Sequence, residues 1–300
     1  MKGAVIDMGT NSFNLLVYEK TAEKRIDIAS GKTFVNIGEG GINEKQLTQE
    51  AIHRAYKAIE EFVQICSEHS VTPSNIVAFG TSALRDAKNA NELLEKLKNK
   101  LGVKVKLIDG IQEAEIVFAA VKEIHSFSEK SSCIMDIGGG STEFTLVNKG
   151  EILQKYTFDI GLSRMSQKYS LKNPLSQQDC NALNEFLEQG TQTTLKHTDI
   201  EEFIGVGGSF ETYYHIIHKT FDYNYTQTYE LPLNQLMNVL DELIYSTQEE
   251  RNQNDWIVDF RKDMIHVAAL KTKWALEQTH AKICYFSPAS LKEGVISGGF

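Results

Sequence analysis

A repeated segment constrains this chain more than any other feature. Near the start, Ala4-Val5-Ile6-Asp7-Met8-Gly9-Thr10-Asn11-Ser12 leads into Phe13-Asn14-Leu15-Leu16-Val17-Tyr18. Much later, Cys133-Ile134-Met135-Asp136-Ile137-Gly138-Gly139-Gly140-Ser141 leads into Thr142-Glu143-Phe144-Thr145-Leu146-Val147. Asp7 matches Asp136, Gly9 matches Gly138 and Ser12 matches Ser141, each pair 129 residues apart. Each copy reads as a buried strand, a tight turn and a strand returning as a hairpin. Two equivalent hairpins imply two related domains facing each other across a cleft.

The residue types in the turns point to phosphate. Gly9 and the Gly138–Gly140 run tolerate φ > 0 and let backbone approach a ligand closely. Successive amides in such a turn form an anion nest, to which the Ser12 and Ser141 hydroxyls add donors. An aspartate ending the first strand can hold a divalent ion, usually through water, beside the phosphates it neutralises. One D-x-G-x-x-S turn is equally well a plain hairpin; two in register favour a phosphate cleft. Gly31-Lys32-Thr33 lacks the leading glycine of a P-loop, and Gly38-x-Gly40-Gly41 does not complete a dinucleotide fingerprint, so both read as turns.

Composition narrows the classes. The 300 residues suffice for two packed domains, and 41% hydrophobic with 24% charged residues is globular. A net charge of −9 without a Lys/Arg block argues against nucleic acid. No run approaches the roughly 20 apolar residues of a membrane span, and the start lacks a secretory signal, so a cytoplasmic protein is expected. Cys66, Cys133, Cys180 and Cys284 form no CxxC pair and read as reduced, mostly buried thiols.

Between the repeats, Arg25–Ala29 reads as a third strand, and an amphipathic helix is expected from about Asn43. Strands are expected at Ile76–Gly80 and Val103–Ile108, the latter ending at Asp109-Gly110 before a helix Ile111–Ile124. A three-strand meander followed by alternating helices and strands is the pattern of a ribonuclease-H-like domain. Two of them, 1–124 and 125–300 with the last helix packing back on the first, make an α/β chain of the duplicated actin-like kind. Glu113 falls in the first turn of a helix that follows a strand's C-terminal end, where ligands of open α/β sheets lie. The helix N-terminus favours its ionised form, whether as a base or as a mere dipole partner.

In the second half, Ile152–Phe158 reads as a strand leading into Asp159-Ile160-Gly161-Leu162-Ser163-Arg164. The turn Gly205-Val206-Gly207-Gly208-Ser209 opens a helix, Phe210–Lys219, and can cap a nucleotide or phosphates or simply cross from strand to helix. His215 and His218 share a helix face at metal-ligand spacing, but without a third ligand they read as surface or core histidines. Asp222–Asp255 offers no chemistry beyond a helix near Asn234–Tyr245 and a solvated loop at Gln248–Asp255. A long helix is expected from Val258 to Gln278.

Taken together, AVIDMGTNSFNLLV, FGTSALRDAKN, GIQEAEIVF, IMDIGGGSTEF, GLSRM, GVGGSFET, FRKDMI and SLKEGVI resemble the exopolyphosphatase/guanosine pentaphosphate phosphohydrolase (Ppx/GppA) family, in its order and from residue 4 to 296. The resemblance implies the fold of the actin-like ATPase superfamily. It implies that Glu113 activates the attacking water, with Asp136 and Glu143 as further catalytic residues. Asp7, Asp136 and Glu143 would hold Mg²⁺ or another divalent cation. Gly9, Thr10, Asn11, Ser12, Gly138, Gly139, Gly140 and Ser141 would bind phosphates, joined by Gly207, Gly208 and Ser209. Arg85 falls where the family has a phosphate-contacting arginine; Arg164 and Arg261 are either further contacts or salt-bridge partners. The chain departs from the family at Ile111, Gln112, Glu115 and Ser209, which puts metal binding and substrate preference in play.

The implied activity is release of terminal phosphate from inorganic polyphosphate of short or moderate length. Hydrolysis of pppGpp or a sensor that binds without turnover is the alternative. An actin-like filament or sugar kinase fits poorly, since the chain is short for such a kinase. The chain resembles the short form without an added C-terminal helical region, and the family leaves room for a homodimer.

Overall fold

The repeated segments bury alternate apolar residues and pair back on themselves. A computed structural model describes residues 2–21, 25–192, 194–195 and 200–298. The first sheet comprises β1 (Lys2–Met8), β2 (Ser12–Lys20), β3 (Arg25–Phe34), β4 (Ile76–Gly80) and β5 (Val105–Leu107). The second comprises β6 (Ser131–Ile137), β7 (Thr142–Asn148), β8 (Glu151–Phe158), β9 (Glu202–Val206), β10 (Tyr229–Glu230) and β11 (Ile283–Ser287). Strand order is β3-β2-β1-β4-β5 in one and β8-β7-β6-β9-β11 in the other, with β10 added at the edge. In both, the first three strands form an antiparallel meander and the next two run parallel to the first. This shared topology is a duplicated ribonuclease-H-like architecture.

Helices α1 (Gln49–Glu68), α2 (Ser82–Asp86), α3 (Ala90–Leu101) and α4 (Gly110–Ile124) belong to the first half of the chain. The second half carries α5 (Leu162–Lys168), α6 (Gln177–Thr191), α7 (Gly208–His218), α8 (Leu233–Ile244), α9 (Gln248–Gln253), α10 (Ile265–Thr279) and α11 (Leu291–Ile296). Each sheet has its own core, and a third apolar cluster joins them. It draws Val5, Leu16 and Phe79 from one sheet, Ile134, Val147, Ile204 and Val206 from the other, Ile116, Val117 and Val121 from α4, and Leu291 and Ile296 from α11. Burial of this shared layer holds the two sheets at a fixed relation, at roughly 25 cal/mol per Å² removed from water.

Four local expectations fail for identifiable reasons. Helix α1 begins at Gln49, because the Thr48 hydroxyl caps the Ala51 amide (3.1 Å) and Ile42–Lys45 forms turns instead. Strand β3 runs on to Phe34, so Gly31-Lys32-Thr33 lies in a strand rather than a turn. Residues 248–253 form a helix with a Thr247/Glu250 capping box, and Arg251 from it is buried. Helix α10 starts only at Ile265, after a short 3₁₀ turn, Asp259–Arg261, that turns Phe260 and Arg261 toward the cleft.

Candidate active site

The two glycine turns meet at the base of a cleft of about 250 Å³. Asp7, Gly9–Ser12, Glu113, Asp136, Gly138–Ser141 and Gly207–Ser209 all line it. The turns touch: a Cβ on Gly140 would stand 2.3 Å from Ser82 Oγ and 2.9 Å from Thr10 Oγ1. Only glycine permits that approach.

Backbone hydrogen bonding aims the turns. In the second turn the carbonyls of Gly138 and Gly139 accept from Leu162 N (3.1 Å) and Ser163 N (2.8 Å), and Gly140 O accepts from Arg164 Nε (2.7 Å). In the first, Asn11 O accepts from Val35 N and Asn36 N, both at 2.9 Å, and Thr10 O from Gly38 N at 3.5 Å. With the carbonyls tied back, the amides of Thr10, Asn11, Gly139 and Gly140 have no protein acceptor among the described residues. Unsatisfied amides lining a cavity call for an anion.

The acids come from both halves. Cross-strand register sets Asp7 beside Asn14 and Asp136 beside Glu143. Asn14 Nδ2 donates to Asp7 at 3.2 Å, whereas Glu143 is buried behind Asp136 and accepts from Thr157 Oγ1 at 2.9 Å. Helix α4 starts against that same β8 residue, for a Cβ on Gly110 would lie 2.1 Å from Thr157 Oγ1. Its first turn therefore delivers Glu113 to the acids of the second half, and Glu113 Oε2 is shielded and unpartnered among the described residues.

Crowding of carboxylates raises their proton affinity. Burial lifts Asp7 to about 6. Burial, then Glu143 and Asp7, lifts Asp136 to about 7; burial lifts Glu143 to about 7. Glu113 is pushed well above the usual carboxylate range by burial, then by Glu143, Asp136 and Asp7. These effects outweigh the helix N-terminus, which on its own favours the ionised form. Behind the acids, the fully buried Lys271 ammonium donates to Thr142 Oγ1 and the Ile160 carbonyl, and burial lowers it to about 7.

A hard divalent cation fits this donor set. All the acidic donors are oxygens, Glu113 Oε2 and Glu143 Oε2 lack partners, and burial raises the group's proton affinity. No ready cage of three or more His, Cys, Asp or Glu exists among the described residues. An ion such as Mg²⁺ would take one or two of these carboxylates and complete its shell with water and substrate phosphates.

The other candidates, Arg261 apart, lie outside the cleft lining. Arg85 is not in the cleft lining; its Nη1 donates to Ile108 O (3.1 Å) and its Nε pairs with Asp86 (3.3 Å), although its charge lowers Glu113 and Glu143. Arg164 is a buried strut, bonding Gly140 O, Ile42 O and Asp86. Arg261 lines the cleft while paired with Glu211. Gln112 closes the Asp109 capping box and Glu115 pairs with Lys155, so neither departure faces the cleft. His215 packs on Phe221 (4.6 Å between rings) and His218 Nε2 meets Glu230 O at 2.9 Å, so they share no ligand site. Cys66, Cys133, Cys180 and Cys284 are buried and unpaired.

The cleft also contains residues the sequence reading passed over: Lys32, Phe34, Tyr223, Tyr225, Phe260 and Lys292. For Lys32 a signal existed, since continuing the strand to Phe34 puts it in cross-strand register with Asn14, and so in one row with Asp7. The Tyr223 and Tyr225 segment carries no such pattern.

The chain's likenesses are consistent with this geometry. The profile of the Ppx/GppA phosphatase family matches residues 16–299. The crystal structure of an exopolyphosphatase from Cytophaga hutchinsonii superposes with a TM-score of 0.90 at 32% identity, covering 99% of this chain and 96% of that one. A bifunctional 3-dehydroquinate synthase/phosphatase of Fusobacterium nucleatum is 36% identical over 180 residues, 57% of this chain and 27% of that protein. A guanosine-5'-triphosphate,3'-diphosphate pyrophosphatase of Photobacterium profundum is 29% identical over 197 residues, 63% of this chain and 39% of that protein. The matches thus span between about a quarter and two fifths of these two relatives' length.

Proposed function

Because this chain belongs to the Ppx/GppA phosphatase family, we propose that it hydrolyses the terminal phosphoanhydride of inorganic polyphosphate. The carrying observation is the pair of abutting turns with unpartnered amides, faced by Glu113 among acids from both halves. Transfer of a phosphoryl group spreads charge over its oxygens, so positioning and electrostatics dominate catalysis. The amides of Thr10, Asn11, Gly139 and Gly140 hold the chain's end, and the Ser12 and Ser141 hydroxyls add donors. Glu113 orients a water for in-line attack and takes its proton at the carboxylate. A divalent cation held chiefly by Asp136 and Glu143, with Asp7 facing them from the other half, would supply the positive charge that ionises these acids and neutralises the phosphates. The Gly207–Ser209 turn lines the same cleft beside Asp136. Four buried, unpaired cysteines go with a cytoplasmic enzyme.

A second substrate, pppGpp, ends in the same anhydride. The aromatic wall of Phe34, Tyr223, Tyr225 and Phe260 favours it, since a base can stack there. Phosphate release from medium-chain polyphosphate and from pppGpp, side by side with Mg²⁺, tests both. Release from either, abolished in Glu113→Gln, is expected. Binding of both without release would make the protein a sensor instead.

A further inference from the structure

Lys32, Arg261 and Lys292 are cations lining the cleft that the reaction described above leaves unused, and Lys32 is the one of them without a carboxylate partner among the described residues. It stands in the cross-strand row Asp7–Asn14–Lys32, so its backbone lies two strand spacings, about 10 Å, outward from Asp7. Its ammonium lies 5.2 Å from the centre of the Phe260 ring. The Arg261 guanidinium from the other half lies 5.3 Å from that same ring. Two cations from opposite walls therefore converge on one aromatic side chain.

Their company is incompletely neutralised. Glu211 pairs with Arg261, and burial notwithstanding, Arg261 and Lys32 hold its carboxyl down at about 2. That one carboxylate serves both Arg261 and Lys32, whereas Lys292 along the same cleft has its own partner in Glu293 at 2.7 Å. Lys32 is exposed by surface area, yet partial desolvation among its neighbours and then the Arg261 charge depress it to about 8. Like charges held together in a half-enclosed space are unfavourable until an anion enters between them.

We propose that Lys32 is a specificity-determining residue, which with Arg261 forms an anion clamp across the outer cleft and grips phosphoryl groups distal to the scissile anhydride. The inference rests on the phosphoanhydride reading, and deepens it by favouring chains long enough to reach from the glycine turns to the clamp. Pyrophosphate is too short to do so; medium-chain polyphosphate is not. Because Lys32 comes from the first half and Arg261 from the second, the bound anion also draws the two walls together.

The test is equilibrium binding of pyrophosphate, tripolyphosphate and medium-chain polyphosphate by calorimetry, paired with phosphate release on the same proteins. Lys32→Met is expected to weaken medium-chain binding about tenfold to a hundredfold, the worth of a charge-assisted hydrogen bond, with the loss shrinking as the chain shortens. Lys32→Arg is expected to restore it. Wild-type binding should also weaken as pH rises past about 8, and Lys32→Arg should remove that dependence. Arg261, Glu211, Lys292 and Asp7 are the charged groups that bear on Lys32 in this window. An equal loss at every chain length, or none, would overturn the clamp. Chain-length-dependent binding without phosphate release would overturn the hydrolase reading and leave the clamp standing.

Discussion

The two meanders are one fold used twice, and their central rows differ in charge. In the first sheet the row runs Asp7–Asn14–Lys32: carboxylate, amide, ammonium. In the second, the matching row runs Asp136–Glu143–Thr157: carboxylate, carboxylate, hydroxyl. The turns between the strands behave alike, with carbonyls tied back and amides left without protein acceptors among the described residues. The backbone thus supplies anion binding twice, while three side-chain positions assign the halves different tasks. A row ending in an ammonium suits phosphate oxygens. A row with two adjacent carboxylates suits a divalent cation. In the proposed reaction Glu113, carried in on α4, is the group that works against both.

The largest effect that tests this division is at Glu113. Glu113→Gln keeps shape and burial but removes the base, and kcat is expected to fall roughly 10²–10⁴-fold with little change in substrate affinity. Near-normal turnover would mean that the water is activated elsewhere.

Next comes the strut that aligns the turns. Arg164→Met removes the donor to Gly140 O and the partner of Asp86, both largely buried. Breaking a buried pair of this kind is expected to cost about 3 kcal/mol in denaturant unfolding. A loss below about 1 kcal/mol would show that the shared apolar layer alone aligns the halves.

A smaller effect separates the acids by pH. Asp7, Asp136 and Glu143 hold protons more tightly in the folded chain than in the unfolded one. Their burial is therefore harmless below about pH 4 and destabilises increasingly as pH rises through about 7. Without metal, Tm should fall across that window, and Mg²⁺ should restore it most at the upper end. A Tm that rises there, or ignores Mg²⁺, would contradict the assignment of the second row.

Much of this was legible from residue types at fixed spacing. The duplicated turns announce both sheets and the meeting of Gly9–Ser12 with Gly138–Ser141, because backbone geometry dictates glycine there. Glu113 is legible because a strand end and a helix start bracket it. The aromatic and cationic outer wall is not. Phe34, Tyr223, Tyr225 and Phe260 come from three separate segments brought together only by tertiary packing. Arg85 and Arg164 illustrate the converse, since a motif arginine at a cleft reads alike whether it faces ligand or carbonyl oxygen. In this structure they donate to the carbonyls of Ile108, Ile42 and Gly140.

The most direct measurement is calorimetric titration of Mg²⁺ into the wild-type protein, Asn14→Ala and Glu143→Gln, in the presence of tripolyphosphate. If the second row is the cation's, Glu143→Gln weakens Mg²⁺ binding by about 10- to 100-fold while Asn14→Ala changes it by about twofold or less. Equal losses in the two variants, or a greater loss in Asn14→Ala, would contradict the division of labour between the halves.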